Sequence, residues 1–399
     1  MKHTQTRTTP LVMLIILGVM TTFGPLLTDM YVPALPKVQD SFMTTTSYVQ
    51  LTLSFTVIGL ALGQFIFGPL SDIFGRKKTV IYLLIIFTIA SIAILFTTHI
   101  VAFIALRFIQ GLMGGGAVVI AKATAGDIHE GNKLAQFLAQ LLVVNGTITI
   151  IAPLIGGYLT TQFEWQYIFL FTALIAVVLI LFTQFKMQEP KAETVSSFSI
   201  RAVGKDFKNL IKTPHFMIPM LLQGLAYVML FSFSAASPFI LQKIYHMSVQ
   251  SFSLFLSING IGLIIASQLT SFLLNKIDRH QLLRLFTLVQ IIGVLAVVIG
   301  LSLQLPLWFL LISFFITICP VTAIGPLAFS IAMESRTGDS GNAASLLGLF
   351  QFLLGGVVSP LVGIQGQYST LPYSLILIGT IIIVVLLHLY HSYLQRKQH

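Results

Sequence analysis

The chain has 399 residues, of which 56% are hydrophobic and only 9% charged. A water-soluble domain carries about 25% charged residues, so this composition excludes one: too little polar surface exists to cover it. The net charge of +10 would fit a nucleic-acid binder on a soluble protein, but a mean hydropathy of +0.93 points to membrane topology instead. The single cysteine, Cys319, lies in the apolar run FFITICPV. It can form neither an intrachain disulfide nor a thiol–metal cluster, and is expected to serve as packing.

Apolar runs of about 20 residues, enough to cross a ~30 Å hydrocarbon core, recur throughout. Twelve spans are expected, at residues 10–32, 46–70, 78–98, 100–124, 134–160, 165–185, 215–240, 250–275, 281–303, 306–333, 341–365 and 371–394. The first is longer than a signal-peptide core and lacks a small-residue cleavage site, so it is expected to be retained. One long polar stretch separates the sixth span from the seventh. The expected division is an N-terminal half 1–185, a linker 186–214 and a C-terminal half 215–399, with six spans in each half. With the N-terminus inside, every Lys and Arg except Lys37, Lys243 and Arg107 falls in an inner segment. Short cytoplasmic loops collect Lys and Arg in this way, which puts both termini in the cytoplasm and requires an even number of spans. The charge surplus is therefore topology, and no nucleic-acid partner is implied.

Span one ends in FGPLLTDMYVPALP, with Asp29 inside the apolar run, and span four carries Arg107 in ALRFIQGLMGGG. A charge at a bilayer centre costs roughly 2.5–3.5 kcal/mol, so each needs a partner or a function. On a continuous helix, Asp29 lies about 28 Å along the outward-running first span, and Arg107 about 10 Å below the outer edge of the fourth. Both fall in the outer half, and they are the only opposite charges that can meet within the bundle. The competing reading of Asp29 is a helix-end or capping residue.

The loop after span two, GPLSDIFGRKK (residues 68–78), has its own physical logic. Gly68 permits close helix approach, and Gly75 permits a tight turn. Asp72 can cap a neighbouring helix N-terminus or pair with a cation. In span five, NGTITIIAPLIGGYL, Pro153 removes one backbone hydrogen bond and kinks the helix, while Gly146, Gly156 and Gly157 allow tight packing. The loop after span eight, LLNKIDRHQLL, also sets an Asp before basic residues, a faint internal repeat.

As a spaced set, residues 68–78 resemble the signature loop of the major facilitator superfamily. The span-four segment, with Arg107, Gln110 and Gly111, resembles that superfamily's arginine-bearing fourth-helix motif. Span five resembles the proline–glycine motif of its antiporter branch, with Ala152 where a glycine usually precedes the proline. TDMYVPALP, WQYIF and SLLGLFQFLLGGVVSPLVG look like the bicyclomycin- and chloramphenicol-resistance type of drug–proton antiporter. The resemblance runs from about residue 10 to 394. It implies an all-α membrane protein of the bacterial cell membrane, with the major facilitator fold: two six-helix bundles around a central cavity. It also implies a monomer that exports drug-like molecules by alternating access, with the proton gradient as energy source and no cofactor or metal.

On that resemblance Asp29 is the expected proton carrier and Arg107 its partner. Withdrawing a carboxyl from water favours its neutral form, and a neighbouring guanidinium or cationic drug favours the ionised one. Cargo and proton can then expel one another. One proton moving down ~150 mV supplies ~3.5 kcal/mol, enough for a roughly 300-fold outward bias of a neutral drug. Some relatives carry a second acid two turns earlier in span one; here the stretch is VMTTFG, with Thr21 and Thr22, which points to a neutral or zwitterionic substrate. Phe23, Tyr31, Gln110, Asn145, Tyr227, Phe231, Asn259 and Gln351 are the candidate cavity residues, polar or aromatic groups in central or outer parts of spans. His129, Glu130, Glu334 and Arg336 are candidate inner-gate contacts. A proton-coupled exporter or importer of a small metabolite is the alternative with the same fold. A membrane-embedded enzyme is disfavoured, because the nine histidines are scattered and no HExxH or serine elbow occurs.

Overall fold

The computed structural model describes residues 10–189, 200–335 and 340–396. Lys2, Arg7, Lys191, Arg336 and Lys397, which entered the charge and gate arguments, lie outside them. Regular structure among the described residues is helical throughout. Among the described residues, eleven helices are long and apolar enough to cross a membrane, and a bent pair, Leu11–Thr21 with Phe23–Phe42, makes a twelfth.

In chain order the helices are α1 Pro10–Thr21, α2 Phe23–Leu27, α3 Leu35–Phe42, α4 Thr46–Phe74, α5 Arg76–Leu95, α6 Ile100–Ile128, α7 Gly131–Gln162 and α8 Tyr167–Lys186. A short α9, Ile200–Ile211, precedes α10 Pro214–Phe239, α11 Val249–Leu273, α12 Arg279–Ser302, α13 Leu307–Ile318, α14 Val321–Glu334, α15 Ser340–Val358 and α16 Leu371–Arg396. Polar residues punctuate the runs. Ser248 caps α11 by accepting from the Ser251 amide at 3.2 Å, and Asp278 caps α12 by accepting from the His280 amide at 2.8 Å. The Asp278 carboxyl is held below the usual carboxylate range: slight burial works to raise it, but the His280 and Gln281 amides and the neighbouring cations outweigh that.

The chain divides into two compact units, Met1–Tyr31 with Phe55–Phe198, and Val32–Ser54 with Ser199–His399. In the first, α1 packs against α6, α7 and α8, and α5 against α6 and α8. Its core includes Leu17, Met20, Phe87, Ala117 and Ile120, all fully buried. In the second, α10 packs against α14, α15 and α16, over a core that includes Ile218, Leu222, Ile324 and Leu327. Residues 32–54 are fastened to this unit by polar contacts: Gln50 Nε2 to the Ala235 carbonyl at 3.0 Å, the Ser54–Ser359 hydroxyl pair at 2.7 Å, Gln242 Nε2 to the Pro33 carbonyl at 3.2 Å and the Lys243–Asp40 salt bridge at 2.9 Å. Cys319 is buried here as a free thiol. Exposed apolar side chains such as Leu174, Leu181 and Phe185 along α8 suit a lipid solvent, which imposes no penalty on them.

The first span departs from expectation. The straight helix expected over 10–32 breaks at Thr22 with a 43° bend, ends again after Leu27, and continues as a 3-10 turn, Val32–Ala34, into α3. Pro25 is the cause: it has no N–H for the Thr21 carbonyl, and its ring crowds that turn. The hydroxyls of Thr21 and Thr22 bond back to the Gly18 and Val19 carbonyls, both at 2.7 Å, which favours bending. Depth estimates that assume an unbroken helix therefore do not apply to Asp29.

Candidate functional site

A broken helix leaves carbonyls without amide partners, and buried ones must be satisfied some other way. Two of the carbonyls so freed in the first span are met by side chains from other helices. The Thr21 carbonyl, which Pro25 cannot serve, accepts from Asn145 Nδ2 of α7 at 2.7 Å. The Leu27 carbonyl loses its expected donor because the Tyr31 amide bonds to Thr28 instead, at 3.1 Å. It accepts from an Arg107 terminal nitrogen of α6 at 2.7 Å.

Arg107 is fully buried. Its other terminal nitrogen donates to Gln110 Oε1 at 2.9 Å, Gln110 Nε2 donates to Ser91 Oγ at 2.6 Å, and Ser91 donates to the Phe87 carbonyl at 2.8 Å. The guanidinium plane lies 4.5 Å from the Tyr31 ring centre and 5.3 Å from that of Phe169, and Phe103 and Trp165 extend the aromatic wall. Its Nε has no partner among the described residues.

Asp29 occupies the turn between α2 and the 3-10 segment and is half-buried. Thr28 Oγ1 donates to its carboxylate at 3.0 Å. The ion pair with Arg107 that the sequence suggested is not formed: the described salt bridges do not include Asp29. Arg107 spends its fork on a backbone carbonyl and an amide, because the broken helix leaves the Leu27 carbonyl in reach. Among the described residues, Asp29 has no neutralising cation in ion-pair contact.

The span-five motif grips the same segment. A β-carbon built on Gly156 of α7 would stand 1.9 Å from the Met30 carbonyl oxygen, so only glycine allows this approach. Pro153 and Gly157 are buried beside it, and Gly146 is half-buried. Gly156→Ala is expected to cost roughly 1–3 kcal/mol, the usual penalty of overpacking. Gly126→Ala on α6 meets no atom within 4 Å and is expected to be neutral or slightly stabilising, as helical Gly→Ala changes are. Thermal unfolding of the two purified variants checks the contrast.

In the 68–78 loop, Arg76 is the hub. It pairs with Asp72 and with Asp127 at the end of α6, at 2.9 Å, and donates to Ser71 Oγ at 2.6 Å and the Gly68 carbonyl at 3.4 Å. Gly75 has φ +93°, where a side chain is strained, and the Glu189 carboxylate lies 2.9 Å from where its β-carbon would be. Glu189 also accepts from the Lys77 amide at 3.1 Å, at the start of α5. The second unit repeats the theme after α11: Arg279 pairs with Glu334 at the end of α14.

The remaining candidates scatter. Phe23 is buried against Phe87, 4.8 Å between ring centres, and Tyr31 is buried against Arg107. The bend turns both into the core of their unit, so neither borders open space, against the expectation that they line a cavity. Gln110 is likewise internal. Asn259 is buried and bonds its own helix through the Phe255 carbonyl at 2.8 Å. Tyr227, Phe231 and Gln351 gather in the second unit. His129 packs on Phe137, 4.8 Å between ring centres. Asp127, Glu189, Ser91 and Phe169 were missed. Asp127 alone left a signal, an acid closing span four opposite a basic loop. A recess of about 560 Å³, lined by residues such as Gln39, Thr46, Gln365 and Tyr368, contains none of the candidates.

Twelve apolar crossings, charges buried within them and an arginine-centred loop between the second and third define a multi-pass membrane transporter. The family model described as Major Facilitator Superfamily matches residues 14–360. The chain belongs to that superfamily, whose members are secondary transporters and not enzymes. It is 31% identical to the uncharacterised MFS-type transporter YdgK of Bacillus subtilis over 96% of both chains. It is 26% identical to a bicyclomycin resistance protein homologue of Haemophilus influenzae over 94% of both. Among solved structures, a bacterial homologue of the human lysosomal transporter Spinster superposes with a TM-score of 0.75 at 14% identity, covering 96% of each chain. That likeness concerns the fold alone.

Proposed function

We propose that this transporter is a proton-coupled exporter of uncharged or zwitterionic drug-sized molecules, working by alternating access, with Asp29 as the proton carrier. The observation that carries the reading is the state of Asp29: a carboxylate inside a membrane span, held by Thr28 and not neutralised by Arg107. A carboxyl so placed can alternate between a protonated form and a form whose charge must be met by water or cargo. Were it locked in a buried ion pair, releasing it would cost several kcal/mol. Arg107 and Asn145 hold the broken backbone that presents Asp29, and so act as positioning residues.

Likeness to a bicyclomycin resistance homologue supports drugs as cargo. The Lys and Arg asymmetry supports a bacterial cytoplasmic membrane with both termini inside. Two halves, 1–185 and 215–399, joined by the linker 186–214, act as the moving parts of a monomer. The other cavity candidates beside the first span, Phe23, Tyr31 and Gln110, support its shape, while Tyr227, Phe231, Asn259 and Gln351 belong to the second half.

The test is a susceptibility panel in an efflux-deficient bacterial host expressing wild type or Asp29→Asn. Raised resistance to at least one uncharged or zwitterionic compound, lost in the variant at equal expression, is the expected outcome. Resistance to none would overturn drug export in favour of a metabolite.

A further inference from the structure

One polar contact in the second unit is incomplete. Gln223 of α10 is 4% exposed and donates from Nε2 to Gln351 Oε1 of α15 at 2.6 Å. Its own Oε1 is buried without a partner, and Gln351 Nε2 donates to nothing among the described residues. A buried amide oxygen left unmatched costs about 1–3 kcal/mol, a cost that a ligand can remove. Exchanging N and O in both amides swaps which glutamine offers the acceptor and which the donor, and the pair keeps one of each unfilled.

The next turns of α10 carry Tyr227 and Phe231, four and eight residues on and therefore on the same side of the helix. With Phe352 of α15 they form a three-ring cluster, centres 6.0–6.3 Å apart. Phe231 is seated against Gly355, where a β-carbon would stand 2.2 Å from its ring, so the cluster is fixed in place. Tyr227 and Gln351 are partly exposed and form its accessible edge. Neither Pro214–Phe239 nor Ser340–Val358 contains an Asp, Glu, Lys or Arg. A charged ligand group would find no counter-ion on these two helices.

We infer that Gln223, Gln351, Tyr227, Phe231 and Phe352 form a binding subsite for an uncharged planar aromatic group bearing an amide, whose N–H and carbonyl meet the free acceptor and the free donor of the Gln223–Gln351 pair. Offset ring contacts fix the aromatic part, and the two amide edges select its orientation. The inference rests on the small-molecule reading above, but not on proton coupling.

The experiment uses the full-length protein in nanodiscs, at one pH and without a gradient. Three fluorescent probes are titrated: 2-naphthamide, N,N-dimethyl-2-naphthamide, which has no N–H, and the 2-naphthylmethylammonium cation. Wild type is expected to bind 2-naphthamide about tenfold more tightly than either of the others, equivalent to about 1.4 kcal/mol. Gln223→Leu and Gln351→Met are each expected to bring the amide preference within twofold while the thermal midpoint shows a folded protein. Gln351 is partly exposed, so its variant carries the test should Gln223→Leu not fold. Asp29→Asn is expected to keep the preference, which separates this subsite from the coupling mechanism. Equal affinity for the two naphthamides, a preference that survives both substitutions, or no saturable binding of 2-naphthamide by folded wild type would overturn the inference.

Discussion

Replacing Arg107 by lysine is expected to abolish transport even though the positive charge is kept. The guanidinium performs three tasks at once: it bonds the Leu27 carbonyl, bonds Gln110, and lies over the Tyr31 and Phe169 rings. A planar fork can do all three; a single ammonium on a flexible stem cannot. Lysine would leave either the Leu27 carbonyl or Gln110 Oε1 unmatched in a buried setting, at about 1–3 kcal/mol, and would forfeit the stacking. A stability loss on the order of 3 kcal/mol follows, visible as a lowered thermal midpoint of the purified protein. Transport falls further than stability, because the turn presenting Asp29 loses the clamp that shapes it. Arg107→Met is expected to resemble the lysine variant in stability, since both lack the fork. A lysine variant with wild-type midpoint and transport would show that charge alone matters at this position.

The same geometry explains what could be read from the residues in advance. Span positions were legible because a membrane demands an apolar length, and runs such as 100–124 and 371–394 leave few other choices. Arg107 and Asp29 stood out because charge inside such runs is costly. Their separation was not legible. It depends on which carbonyl Pro25 orphans and on the Tyr31 amide turning to Thr28, details of backbone path that spacing does not encode. Phe23 and Tyr31 pointed to a cavity only through their type, and the bend, not the type, decides that they face the core. Arg76 was visible as a basic anchor, but Asp127 and Glu189, which complete its loop, lie 51 and 113 positions further along the chain. Contacts across such separations come from packing, not from local pattern.

Asp29→Asn is expected to abolish proton coupling while leaving the transport cycle itself in place. Asparagine keeps the shape and can still accept from Thr28, so folding should be nearly unaffected. It cannot take up or release a proton. In proteoliposomes, uphill accumulation driven by a pH gradient should fall from as much as about 300-fold towards unity, while exchange of labelled for unlabelled substrate continues. Binding at the aromatic subsite should persist as well.

The most direct measurement is proton release on substrate binding. Weakly buffered, purified wild-type protein receives the compound with the largest resistance shift, and the pH change is followed between about pH 6 and 8. Release of roughly one proton per bound molecule by wild type, and none by Asp29→Asn, is the result that competition at this carboxyl predicts. Equal release from both proteins, or binding with no release from wild type at any pH in that range, would contradict it.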